Sequence, residues 1–212
     1  MNADRPKPTP AAAPAARASH LLYLHGFRSS PGSAKARRMA RWVGEQRPDL
    51  QFLCPQLPPS PTEAMALVAA LTRDWPQGEG RVLMGSSLGG FYATALSQTP
   101  AWARSRAVLL SPAVDPARDL ARYIGEHRCW QNPAESFFFR AEYVDELRLL
   151  KPADLQAPER LLAVIAKGDE VLDWREMQAR YAQGPIHLLE GSDHGLSDFD
   201  DYLAKLCGFL RL

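Results

Sequence analysis

Six short runs of apolar, β-prone residues recur along this chain, at positions 21–24, 50–53, 81–84, 107–110, 161–166 and 186–189. Between most of them lie segments whose apolar residues fall at helical spacing, such as Ala36, Met39, Ala40 and Val43, or Ala64, Leu67, Val68 and Leu71. Strands this uniformly apolar have no face suited to water, so each must be covered on both sides. Strand and helix in alternation, joined by right-handed crossovers, predict an α/β fold with a mostly parallel central sheet and helices on both faces. In such sheets ligands bind beyond the carboxyl ends of the strands, so the loops that follow these runs are where chemistry is to be sought. A chain of 212 residues has room for one sizeable core, and residues 20–212 are expected to form a single domain.

Residues 1–19 carry Pro6, Pro8, Pro10 and Pro14 among alanines, which predicts a disordered Pro/Ala-rich tail with no apolar stretch of the signal-peptide kind. Elsewhere no run of about 18 apolar residues occurs, so no membrane span is expected. The 25 Lys+Arg nearly balance the 24 Asp+Glu, and a chain so neutral has no field to gather nucleic acid or an anionic membrane. Cys54, Cys129 and Cys207 are scattered and odd in number; they form no metal-type pair and point to a reducing compartment, the cytoplasm. Positions 115–150 lack a convincing strand but hold Tyr123, Trp130, Phe137, Phe138, Phe139 and Tyr143. Chance would place about three aromatics in such a span, so a small helical and aromatic lid-like insertion over an apolar site is expected. Ordinary helix packing is the alternative.

The run at 81–84 leads into Gly85-Ser86-Ser87-Leu88-Gly89-Gly90, and a helix-spaced segment follows at once. A serine on so sharp a strand-to-helix turn needs glycine on either side, because larger side chains would clash there. Ser87 is therefore the candidate nucleophile, and the N–H of Leu88, at the start of the helix, the first candidate oxyanion donor. A hydroxyl is a weak nucleophile, so it needs a histidine to take its proton and a carboxylate to orient that histidine. His194, in the loop after the last strand-like run, is the candidate base; His20, His25, His127 and His187 have better readings as core, surface or loop-bracing residues. Asp169, just beyond the run at 161–166, is the candidate acid. The rival Asp173, with Glu176 three residues on, reads instead as a helix N-cap and capping-box pair. The strand at 21–24 ends in His25-Gly26-Phe27, where glycine lets the loop bend over the cleft and the N–H of Phe27 becomes the second candidate oxyanion donor.

Five blocks in order carry a family resemblance: Leu24-His25-Gly26-Phe27 with Ser29-Ser30-Pro31, Pro55-Gln56-Leu57-Pro58, the segment from Gly85 to Thr94, Gly168-Asp169-Glu170-Val171-Leu172-Asp173, and Asp193-His194-Gly195. Through them the chain resembles the small bacterial esterases of the YqiA/YcfP type, a compact branch of the α/β-hydrolase superfamily. The resemblance implies the α/β-hydrolase fold and hydrolysis of a small-molecule carboxylic ester through an acyl-enzyme, with no metal and no organic cofactor. A thioesterase using the same three residues, and a noncatalytic binding protein on the same fold, are the competing expectations.

Overall fold

The structure is a computed structural model that describes residues 17–129, 132 and 134–212. In chain order its elements are β1 (His20–Leu24), α1 (Ala34–Gln46), β2 (Gln51–Leu53), α2 (Pro61–Leu71), β3 (Arg81–Ser86), α3 (Leu88–Ser97), β4 (Ala107–Leu110), α4 (Pro116–Leu120), β5 (Gly125–Arg128), β6 (Ser136–Phe139), α5 (Ala141–Leu150), β7 (Leu161–Ala166), α6 (Trp174–Arg180), β8 (Ile186–Leu189) and α7 (Phe199–Leu210). Each of the six apolar runs is a strand of one sheet, ordered β2-β1-β3-β4-β7-β8 with every neighbouring pair parallel.

Because side chains alternate across a strand, the sheet divides its own residues between two cores. Leu22, Leu24, Leu83, Leu109, Ala163 and Ile165 face one side, where α2, α3, α5 and α6 cover them through residues such as Val68, Phe91, Leu147 and Met177. Leu21, Tyr23, Val82, Met84, Val108 and Val164 face the other side, under α1 and α7 through Met39, Val43, Leu203, Leu206 and Leu210. Not every helix-spaced residue turns inward. Ala40 is exposed on α1 and Leu71 is 44% exposed at the end of α2.

Positions 115–150 differ from the sequence expectation in one respect. Besides α4, α5 and a single 3-10 turn they contain a two-stranded antiparallel ribbon, β5 with β6, in which Gly125 pairs with Phe139 and Arg128 with Ser136. Trp130 lies outside the described residues, as do residues 1–16 of the expected tail. Ala18 is buried against the body of the protein; its N–H donates to the carbonyl of Arg211 (3.0 Å) and its own carbonyl accepts from Arg47 (2.9 Å).

Candidate active site

Between β3 and α3 the backbone turns through Ser87, whose φ of 54° and ψ of −118° lie where side-chain-bearing residues are rarely found, at a strain of about 1–3 kcal/mol. Glycine makes the turn possible: a Cβ on Gly85 would sit 2.1 Å from the carbonyl oxygen of Gly89, and one on Gly89 would sit 2.0 Å from that of Leu24. The turn is also fastened to the middle of the sheet. Ser87 N–H donates to the carbonyl of Leu110 at the end of β4 (2.9 Å), and the Ser87 carbonyl accepts from Gly90, Phe91 and Ala113.

Asp169 and His194 meet on the loops after β7 and β8. The imidazole Nδ1 lies 2.8 Å from Asp169 Oδ2, and the aspartate side chain is fully shielded from solvent. The other carboxylate oxygen accepts from the N–H groups of Val171 (2.9 Å) and Leu172 (2.8 Å). Burial pushes the Asp169 pKa up, but the His194 hydrogen bond and charge and the two N–H donors outweigh it and hold the carboxyl below its ordinary range. A carboxylate so placed accepts Nδ1–H and leaves Nε2 bare, the tautomer in which an imidazole can take a proton. Asp173 has the other job expected of it, capping α6 by accepting from Arg175 N–H (2.9 Å). Its expected capping-box partner does not join it; Glu176 instead accepts from the two terminal guanidinium nitrogens of Arg118 (2.8 and 2.7 Å).

Ser87 and His194 share the wall of a cavity of about 920 Å³, together with Phe27, Leu88, Leu120 and Leu172. Among the described residues the N–H groups of Phe27 and Leu88 have no hydrogen-bond acceptor, so both remain available to an incoming anion. The Phe27 loop is braced from two directions. On one side His25 accepts from Leu57 N–H at Nε2 (3.0 Å), so its proton is on Nδ1, which donates to the Gly26 carbonyl (3.0 Å); burial lowers the His25 pKa against the pull of that second bond. On the other side the Phe27 ring is inserted among Tyr123, His127, Phe137 and Phe139, with centroid distances of 5.3–5.9 Å. Arg28 Nε adds a hydrogen bond to the carbonyl of Arg128 at the end of β5 (3.1 Å).

Two residues that the sequence reading did not place at the site hold the His194 loop. Glu170, next to Asp169 in the chain, accepts from the backbone N–H of His194 (3.0 Å). From α1, Lys35 donates to the carbonyl of Gly195; burial lowers its pKa to about 8 against the pull of Asp193 and Asp169. A lysine in a first helical turn opposes the helix dipole, and that local misfit was the available signal. Asp193 is a turn residue, accepting from Ser197 N–H (2.9 Å). No group of three or more His, Cys, Asp or Glu residues able to hold a metal ion occurs among the described residues.

The same architecture is found in solved structures of low sequence identity. A putative hydrolase from Agrobacterium vitis is 16% identical with a TM-score of 0.69, over 92% of this chain and 88% of that one. A structure described under the metagenome-derived lipolytic enzymes LipS and LipT is 17% identical with a TM-score of 0.64, over 92% and 94%. Mouse alpha/beta hydrolase domain-containing protein 10 is 15% identical with a TM-score of 0.60, over 88% and 90%. These likenesses establish the α/β-hydrolase fold. The model of the Uncharacterised protein family (UPF0227), the YqiA/YcfP family, matches residues 20–211, and this chain belongs to that family.

Proposed function

We propose that this protein is a serine hydrolase that cleaves carboxylic esters of small molecules. The observation that carries the reading is the His194–Asp169 pair, joined at 2.8 Å, with His194 lining the same cavity as the strained Ser87 turn. Ser87 Oγ attacks the ester carbonyl carbon while its proton passes to His194 Nε2. The carbonyl π-electrons move onto oxygen, where the N–H groups of Phe27 and Leu88 receive the negative charge. Asp169 stays ionised and stabilises the imidazolium. On collapse the carbon–alkoxy bond breaks and His194 returns the proton to the departing alcohol, leaving an acyl group on Ser87. Water, deprotonated by His194, then adds to that acyl carbon; the Ser87 ester bond breaks, Oγ regains a proton, and the free acid departs. In this reading the described residues of the 115–150 segment form a cover over the site, tied down through the Phe27 ring. A reducing compartment such as the cytoplasm suits the three cysteines, all of them unpaired.

The test is turnover of an aryl acetate by wild type and Ser87→Ala, with a fluorophosphonate as covalent probe. Turnover is expected to fall by a factor on the order of 10⁶, and the probe should modify wild type at Ser87 alone. Undiminished turnover in Ser87→Ala would refute the assignment. Failure of the probe to label folded wild type would favour a noncatalytic protein, and preference for acyl thioesters over matched oxygen esters would favour a thioesterase.

A further inference from the structure

We infer that a second cavity, which shares Phe27 and Leu88 with the first but not His194, receives the acyl half of the substrate as an aliphatic chain, and that its wall, Leu67 included, limits the length of that chain. The inference rests on the ester-hydrolysis reading above. The cavity has a volume of about 600 Å³ and its walls include Leu57, Pro58, Leu67, Leu88, Tyr92 and Phe137. Of its polar lining among the described residues, Gln56, Glu135 and Ser136 are exposed and Arg28 and Ser29 are half-buried, and the rest of the wall is mainly apolar. The imidazole of His25 also lines it, but both ring nitrogens are already engaged, so it offers a chain only carbon edges.

The assignment of the two halves follows from the four substituents of the tetrahedral carbon. One is Ser87 Oγ, and the second is the oxyanion between the N–H groups of Phe27 and Leu88. The third, the leaving oxygen, must come within hydrogen-bond reach of His194 to collect its proton. That puts the alcohol in the larger cavity, whose wall contains His194 along with Arg118, Asp119, Arg122 and Glu170. The acyl chain is the fourth substituent and has to leave in the remaining direction. Phe27 and Leu88 stand in the walls of both cavities, so the carbonyl is held at their boundary. Gly26 lines the smaller cavity, and a Cβ there would lie 3.7 Å from Ser87 Oγ. With only hydrogen at that position, this wall of the smaller cavity backs closely onto the serine. Arg28 stands in the walls of both cavities; apart from it and the exposed Glu135 the smaller cavity carries no charged side chain among the described residues, while the larger one adds Arg118, Asp119, Arg122 and Glu170, which suits an ester with a hydrocarbon acid and a polar alcohol.

The experiment is a series of p-nitrophenyl esters from acetate to dodecanoate, read as ratios of kcat/KM, together with α-naphthyl and p-nitrophenyl acetate to vary the alcohol. In wild type each methylene that enters the cavity should raise kcat/KM about four-fold until the space is filled. Leu67→Trp should lower the octanoate-to-acetate ratio by about ten-fold or more, while Leu67→Ala should move the optimum to longer chains; the alcohol ratio should hold in both. Because the two variants are expected to shift the optimum in opposite directions, a folding failure in the bulkier one leaves the alanine variant to decide. Unaltered acyl ratios overturn the inference while the hydrolase reading stands. A change in the alcohol ratio instead would reverse the assignment of the halves. Absence of ester turnover in folded wild type would overturn the hydrolase reading itself and the inference with it.

Discussion

Two glycine-to-alanine substitutions, both inside helices, should have opposite effects. Gly44 lies on the exposed side of α1, and a Cβ there would meet nothing within 4 Å. Alanine is the better helix former, so Gly44→Ala should stabilise by about 1 kcal/mol, raising Tm by about 2–4 °C for a domain of this size, with turnover unchanged. Gly89 lies in the first turn of α3, where a Cβ would stand 2.0 Å from the Leu24 carbonyl oxygen and 2.7 Å from that of His25. Ordinary contact begins at 3.4 Å. Both opposing atoms are backbone, so α3 and the end of β1 must separate by roughly an ångström. The expected cost is about 1–3 kcal/mol, a Tm lower by about 2–12 °C. Separation also pulls Leu88 N–H away from Phe27 N–H, since one lies on α3 and the other just past β1. A misplacement of about 1 Å at reacting groups costs on the order of 10²-fold in rate, so turnover should drop by that factor or more even well below Tm. Differential scanning fluorimetry and aryl acetate kinetics on the same samples provide the comparison. A Gly89→Ala protein with wild-type Tm and wild-type turnover would refute the packing account of the turn.

Asp169→Asn can donate to His194 Nδ1 and so favours the wrong tautomer; turnover should fall by about 10⁴-fold, and fluorophosphonate labelling that proceeds at the wild-type rate would exclude Asp169 as the acid. Glu170→Ala removes the acceptor for His194 N–H and should lower kcat about 10- to 100-fold with KM little altered; a rise in KM alone would assign Glu170 to substrate binding instead. Lys35 has a folded pKa of about 8 against an ordinary 10.5. The unfolded chain therefore holds more protons between those values, the charged form is disfavoured in the fold below about pH 8, and stability contributed by this group rises as pH climbs toward 10.5. Lys35→Met should lack that rise, so urea unfolding of the two proteins at pH 7, 9 and 10 should give converging stabilities; parallel curves would show that Lys35 is not desolvated.

The sheet was legible because parallel strands covered on both faces must be written as unbroken apolar runs, as Leu161–Ala166 is. The Ser87 turn was legible because strain of that kind requires glycine at fixed offsets. The ribbon was not. β5 reads Gly125-Glu126-His127-Arg128, a strand with no apolar run of its own, and His127 is half-buried through packing against Phe27, 100 positions earlier. Glu176 fitted a local capping rule and was drawn to Arg118, 58 positions away. Glu170 and Lys35 act on a loop 24 and 160 positions distant, a pairing that only the folded topology creates. Local periodicity thus specified which segments are strands and where the turn lies, while contacts between distant segments decided how the His194 loop is held.

The order of strands across the sheet gives the three candidate catalytic residues unequal durability. Ser87 follows β3, an interior strand, Asp169 follows β7, one place from the margin, and His194 follows β8, which is the margin. Hydrogen-exchange protection usually declines from the middle of such a sheet toward its rim, because outer strands open without the rest. The candidate base, His194, should therefore be lost first under mild denaturant. Such a molecule would keep its folded centre and its serine while ceasing to turn over, and its loss of function would be reversed on dilution without any refolding of the core.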